Sequence, residues 1–198
     1  MAISFYKSVD EDGGAIGDIL TNGGVDELLP IISSQDRING TTYIRKYWIK
    51  ADVDSTVFNG LSNNDALFRD SVVFKAGDDD HISDIVGDEP KYGTMYIQDA
   101  DYDNNKIQVD NTDLVRVDDY VWYNNQKLPA KVLSVDETDK WVELDADLVD
   151  GDLGTIVYSC TKHTLSADDA TAFWIQTTIP EMSNVSDNYD THYLFCVE

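Results

Sequence analysis

Ala130-Lys131-Val132-Leu133-Ser134-Val135-Asp136-Glu137-Thr138-Asp139-Lys140-Trp141-Val142-Glu143-Leu144 is the stretch on which the fold reading turns. Its two apolar runs, Lys131 to Val135 and Trp141 to Leu144, are short and rich in β-branched or aromatic residues. The polar segment Asp136 to Asp139 between them is long enough for a four-residue hairpin loop. Val142 and Leu144 fall on one face of the second run, with Trp141, Glu143 and Asp145 on the other. That alternation marks a strand wetted on one side.

The same signature recurs outward in both directions. Strands are predicted over Ile3–Lys7, Thr42–Ala51, Ser71–Ala76, Thr94–Gln98, Lys106–Val109 and Leu114–Tyr123, and beyond the hairpin over Thr155–Cys160, Ala172–Ile179 and His192–Val197. Each run is bounded by Asp, Asn, Gly or Pro, and a spacing of about ten residues is that of sandwiches and barrels. Asn124-Asn125 reads as a turn after Val121-Trp122-Tyr123. Helix is scarce: Gly24 to Leu29 could give a turn or two before Pro30, and Ser166 to Asp169 reads as a short capped turn.

The expected class is therefore all-β. Residues 1–97 and 161–198 are alike in composition, whereas 98–160 form a denser series of short strands. The organisation predicted is a discontinuous β-sandwich, immunoglobulin-like or jelly-roll-like, over 1–97 plus 161–198. A small β-barrel or hairpin module over 98–160 is inserted into it, as insertion at a loop tip allows.

Charge bounds the partners. Fourteen Lys and Arg stand against 38 Asp and Glu in 198 residues, a formal net charge of −24. The acid is 31 Asp to 7 Glu, mostly the residue that makes turns. Such a chain repels phosphate backbones and anionic lipid, so no direct nucleic-acid or membrane attachment is expected. No apolar run approaches the roughly 20 residues of a membrane helix, and Met1 to Tyr6 show no signal-peptide pattern. Cys160 and Cys196 could pair or stay as small hydrophobes.

Candidate chemistry is thin. Asp99, Asp101, Asp103 and Asp110 fall at positions 1, 3, 5 and 12 of a calcium-loop spacing. Asn104 stands where that loop wants glycine, Asp110 where it wants glutamate, and the flanks look like strands. The competing reading is a polar hairpin loop, so no cofactor is expected beyond calcium at that loop. Asp78-Asp79-Asp80 reads as a solvated loop. Cys160 and His163 point to opposite faces of one strand, and the glycine pairs lack the Lys-Ser/Thr of a phosphate loop. An enzyme is not expected.

The aromatics are more informative. Tyr47 adjoins Trp48, Trp122 adjoins Tyr123, and Phe173 adjoins Trp174, so one ring of each pair points inward and its neighbour outward. Trp48, Trp122 and Trp174, with Tyr47 and Tyr123 beside them, are the candidate interface anchors.

Three phrases carry a resemblance. They are Ile3-Ser4-Phe5-Tyr6-Lys7-Ser8 followed by Gly13-Gly14, Asp36-Arg37-Ile38-Asn39-Gly40-Thr41-Thr42-Tyr43-Ile44-Arg45-Lys46-Tyr47-Trp48-Ile49-Lys50, and Ala172-Phe173-Trp174-Ile175-Gln176-Thr177-Thr178-Ile179-Pro180. Together they resemble small β-rich virion proteins of tailed phages, over roughly residues 1–60 and 161–198. The resemblance implies a structural component at the neck, the tail or the capsid surface. Its partners would be other virion proteins and further copies of itself in a symmetric assembly, and its location the virion, assembled in the host cytoplasm. The alternative expectation is a carbohydrate- or receptor-binding β-sandwich, calcium-supported.

Overall fold

The computed structural model describes residues 3–20, 33–63, 70–123, 128–150, 153–181 and 191–197, with backbone only for 62–63 and 191–197. The chain is nearly all β, 58% strand against 8% helix, and contains a closed six-stranded antiparallel barrel with extra strands outside it.

In chain order the strands are β1 (Ile3–Asp10), β2 (Gly13–Ile19), β3 (Thr41–Ala51), β4 (Ser55–Asn63), β5 (Val72–Ala76), β6 (Lys91–Asp101), β7 (Lys106–Val109), β8 (Tyr120–Tyr123), β9 (Ala130–Asp136), β10 (Trp141–Leu144), β11 (Ile156–Leu165), β12 (Ala170–Ile179) and β13 (Thr191–Val197). A short helix, α1 (Ser34–Asn39), precedes β3. The Ser33 hydroxyl accepts the Asp36 N–H at 3.2 Å and the Asp36 carboxylate accepts the Ser33 N–H at 2.8 Å, a reciprocal cap that starts the helix. Gly40, at φ +66°, ends it.

The barrel runs β6-β7-β10-β9-β8-β11 and closes where β11 returns to β6 through Ile156–Tyr96 and Tyr158–Thr94. Inward-facing Met95, Ile107, Val109, Val121, Val132, Val142, Leu144 and Val157 fill it. The Lys131 to Leu144 hairpin forms with its turn one residue later than the sequence suggests. Trp141 pairs with Asp136, and Lys140 takes the left-handed position at φ +60°. The Asp136 carboxylate accepts the N–H groups of Thr138 and Asp139 across that turn.

Outside the barrel, β2-β1-β3-β12-β5 continue into the first residues of β6, and β13-β4 flank the last residues of β11. A second core of Tyr47, Ile49, Val57, Leu61, Val73, Leu165, Phe173 and Ile175 packs these two sets of strands face to face. The two cores share β6 and β11. The sequence boundaries at 97/98 and 160/161 fall inside those strands, which pass from one core to the other without a break.

Ser159, fully buried, marks the hand-over. Its hydroxyl accepts the Gly93 N–H at 2.9 Å and donates to the Gly93 carbonyl at 3.3 Å. On its other edge Gly93 pairs with Val72 of β5. A side chain thus stands in where the β6–β11 ladder stops.

Some elements differ from the sequence reading. β2 and β4 were not anticipated, because Gly-Gly-Ala-Ile-Gly-Asp-Ile and Ser-Thr-Val-Phe-Asn-Gly-Leu-Ser-Asn carry too few β-formers. The strand expected over Leu114–Tyr123 begins at Tyr120. Leu114 and Val115 are buried within the core that fills the barrel but lie on turns, closed by the Asp119 carboxylate accepting the Arg116 N–H at 2.8 Å. Ser166 to Asp169 is the tight β11–β12 turn, with the Asp169 carboxylate accepting the Ser166 N–H at 3.2 Å. The expected Gly24–Leu29 helix and the Asn124-Asn125 turn lie outside the described residues.

Candidate functional site

Four of the five candidate anchors are held inside the chain. Tyr47, Trp48, Tyr123 and Trp174 are 2%, 4%, 3% and 1% exposed. The expectation that one ring of each pair points outward is corrected for Tyr47–Trp48 and Phe173–Trp174, whose rings are all buried, whereas Tyr123 is inward and Trp122 outward. The sheet containing β3 and β12 is covered on both faces, so inward and outward neighbours are both buried. Tyr47 and Phe173 lie in the inter-sheet core with ring centroids 6.0 Å apart. Burial pushes the Tyr47 hydroxyl up to about 12. Tyr123 points into the barrel core.

On the opposite face of the sheet, Trp48 and Trp174 flank Lys46, which is 3% exposed. The Lys46 Nζ lies 5.0 Å from the Trp48 ring centroid and 5.8 Å from that of Trp174. It donates to three main-chain carbonyls, Gly14 and Asp78 at 2.8 Å and Asp80 at 3.0 Å. Burial lowers the Lys46 pKa from the ordinary lysine value, and the carboxylates of Asp80, Asp78, Asp79 and Asp84 oppose that shift. The segment 77–86 crosses this face as a strap. The Gly14 N–H donates to the Asp80 carbonyl at 2.9 Å, and the Ile82 N–H to the Asp12 carbonyl at 2.7 Å. Gly13 is obligatory here: at φ +130°, an added Cβ would sit 2.4 Å from the Asp80 oxygen.

Sequence reasoning passed over this arrangement. Gly13-Gly14 and Asp78-Asp79-Asp80 were read as separate features, the latter as a solvated loop. The legible signal was Lys46 two residues before Trp48, on the same face of a strand whose apolar alternation leaves no wet side there.

Trp122 alone among the anchors is half-buried. It lies on the outside of the barrel, directly across from Tyr158 of β11, with Cys160 and Tyr120 the next outward pair. The Tyr120 and Phe58 rings meet edge to face at 4.9 Å, and the Lys162 Nζ lies 5.7 and 5.9 Å from the Phe58 and Tyr120 centroids.

The four carboxylates of the candidate calcium loop do not converge. Asp99 and Asp101 end β6, Asp103 lies in the one-turn 3-10 helix Tyr102–Asn104, and Asp110 follows β7. Asp101 accepts the Asn104 main-chain N–H at 3.3 Å and its side-chain amide at 2.7 Å. Asp110 accepts the Tyr96 N–H at 2.8 Å, and Asp99 the Ala100 N–H at 2.8 Å. Three of them are thus spent on fixing the β6–β7 hairpin, with Asn105 left-handed at φ +54°. Among the described residues no three His, Cys, Asp or Glu side chains gather as a ligand set.

Three further titratable groups are shifted by burial. The Tyr92 hydroxyl donates to Asp119 at 3.0 Å; burial and the Asp119 charge push Tyr92 up to about 12, and burial raises Asp119. His163, on the inter-sheet face of β11, is lowered by burial and then by the Lys75 charge. Cys160 and Cys196 flank β4 on opposite sides, Cys160 beside Gly60 and Cys196 beside Phe58. A whole strand therefore separates them by roughly 10 Å, beyond the ~7 Å Cα limit of a disulfide.

No helix among the described residues is long and apolar enough to cross a membrane. Comparison with known protein families, with curated proteins and with solved structures finds no match.

Proposed function

We propose that the chain is a non-enzymatic structural protein of a tailed-phage particle, joined to other virion proteins at the neck, the tail or the capsid surface. One observation carries this reading. The two longest phrases that resemble phage virion proteins, about 120 residues apart in the chain, lie side by side on β3 and β12 over eight paired residues, Trp48–Ala172 to Thr41–Ile179. The resemblance thus falls on one structural unit, the central ladder of the outer sheet, and that unit is built of packing residues. The net charge of −24 suits a surface past which DNA must slide unheld.

Quantitative mass spectrometry of purified particles tests the reading. The chain should be present at a fixed ratio to the shell protein; its absence from purified particles refutes it. The outward Trp122–Tyr158 pair favours a second reading, a carbohydrate- or receptor-binding module, since flat rings stack on sugar faces. Because the acidic loop is not gathered as a ligand set, glycan-array binding on this reading should survive chelator and be lost in Trp122→Ala.

A further inference from the structure

We infer that residues 77–86 are a latched strap that opens ahead of the rest of the fold and uncovers the Lys46 ammonium seated against the rings of Trp48 and Trp174. The strap and the sheet beneath it are anchored very differently. Trp48 and Trp174 belong to strands paired on both edges, β3 between β1 and β12, and β12 between β3 and β5. The strap is tied by the Lys46 ammonium, by two main-chain bonds, Gly14 to Asp80 and Ile82 to Asp12, which flank the bridge of His81 to Gly13, and by a half-exposed contact of the His81 ring with the Asp12 carboxylate at 3.5 Å.

Its apolar hold on the core is slight. Ile85 is partly buried against it, while Ile82 is 39% and Val86 82% exposed. Asp78, Asp79, Ser83 and Asp84 all face solvent. Few buried apolar contacts and exposed main-chain bonds are the marks of a segment that opens locally. The latch itself favours this. Lys46 and the Gly14 carbonyl remain on the sheet when the strap lifts, so water takes over the two hydrogen bonds to Asp78 and Asp80 while the ammonium regains hydration it lost on burial. In the closed state, by contrast, the carbonyls of Gly14, Asp78 and Asp80 have that ammonium as a shared donor, which makes Lys46 the residue that sets the opening equilibrium. The strap thus closes over the cation set against two of the rings that the sequence marks as interface anchors, and its release, not a change in the sheet, uncovers that cation. This inference is independent of where in a particle the chain resides.

Residue-resolved amide hydrogen exchange on the intact chain, with acrylamide quenching of tryptophan, tests it. The amides of Gly14 and Ile82 report the two cross-strap bonds. In the wild type they should exchange together and at least about tenfold faster than the Trp48 and Ile175 amides of the sheet. Lys46→Met should speed Gly14 and Ile82 by a further factor of about ten and raise tryptophan quenching. The barrel amides of Val121 and Val132 should stay unchanged. Should Lys46→Met fail to fold, Gly14→Ala, which strains the strap's seat at φ +83°, serves in its place. Wild-type Gly14 and Ile82 amides that exchange only as slowly as those of Trp48 and Ile175 overturn the inference. So does a folded latch variant whose strap exchange and tryptophan quenching match the wild type.

Discussion

Ser159→Ala is the sharpest test of how the two cores are joined. The serine is 0% exposed, and its hydroxyl is the acceptor for the Gly93 N–H at 2.9 Å. It also donates to the Gly93 carbonyl at 3.3 Å. Alanine leaves the backbone in place and adds no bulk, so the perturbation is the loss of one buried acceptor and one donor. An orphaned buried N–H costs about 1–3 kcal/mol, and relief of the hydroxyl's own desolvation offsets part of the total, so a net loss of about 2 kcal/mol is expected. For a chain of this length that corresponds to a fall in Tm of roughly 4–8 °C. Urea unfolding followed by far-ultraviolet circular dichroism reads the loss as a lower midpoint at unchanged slope. Ser134→Ala is the control: its hydroxyl bonds Glu143 at 2.9 Å on the exposed face of the barrel, where the change should stay within about 0.5 kcal/mol. If the two variants unfold at the same midpoint, Ser159 is not the splice between β6 and β11, and the reasoning fails.

Three other outcomes follow from the same geometry. Burial holds the folded-state pKa of His163 below the ordinary histidine value of 6.5, so the unfolded chain binds its proton first and stability falls as pH drops below about 6.5; His163→Gln should flatten the urea-midpoint profile in that range, and an unchanged slope contradicts it. The Asn59 side-chain oxygen is buried with no hydrogen-bond partner among the described residues, so Asn59→Leu should stabilise the chain by about 1 kcal/mol and raise the urea midpoint, whereas a marked fall would show that the amide is needed. Cys160 and Cys196 should both react with a thiol reagent in denaturant without reductant; a single reactive thiol, or none, would mean that the β11–β4–β13 order is wrong.

The fold class was legible because β-branched and aromatic runs alternate with Asp-rich turns, and the Lys131–Leu144 hairpin alone fixes a strand period. The aspartates are acidic for a local reason as well as for solubility: Asp36, Asp80, Asp84, Asp136 and Asp169 each accept a main-chain N–H two or three residues away, a reach that glutamate makes less readily. What the sequence hid is tertiary. Glycine-rich β2 is a strand because β1 templates it, and β4 because β11 and β13 flank it. Adjacent aromatics pointed to partner surfaces because a single covered face was assumed; the face of Trp48 and Trp174 is also closed, continuous with the core that fills the barrel, and nothing in a local window announces that residues 78–80 meet Lys46. Trp122 kept its partial exposure because the barrel has one filled side.

The order of strands also sets a timetable for synthesis. β3 is complete at Ala51, yet its neighbour β12 starts only at Ala170. At 5–20 residues per second the hydrogen-bonding edge of β3 must therefore wait roughly 6–24 s for its mate. Through that interval a strand carrying Tyr43, Tyr47 and Trp48 is open to pairing with the same strand on a neighbouring ribosome. The carboxylates of Asp36, Asp52 and Asp54, made just before and after it, are then the nascent chain's safeguard against coalescing with its sister copies.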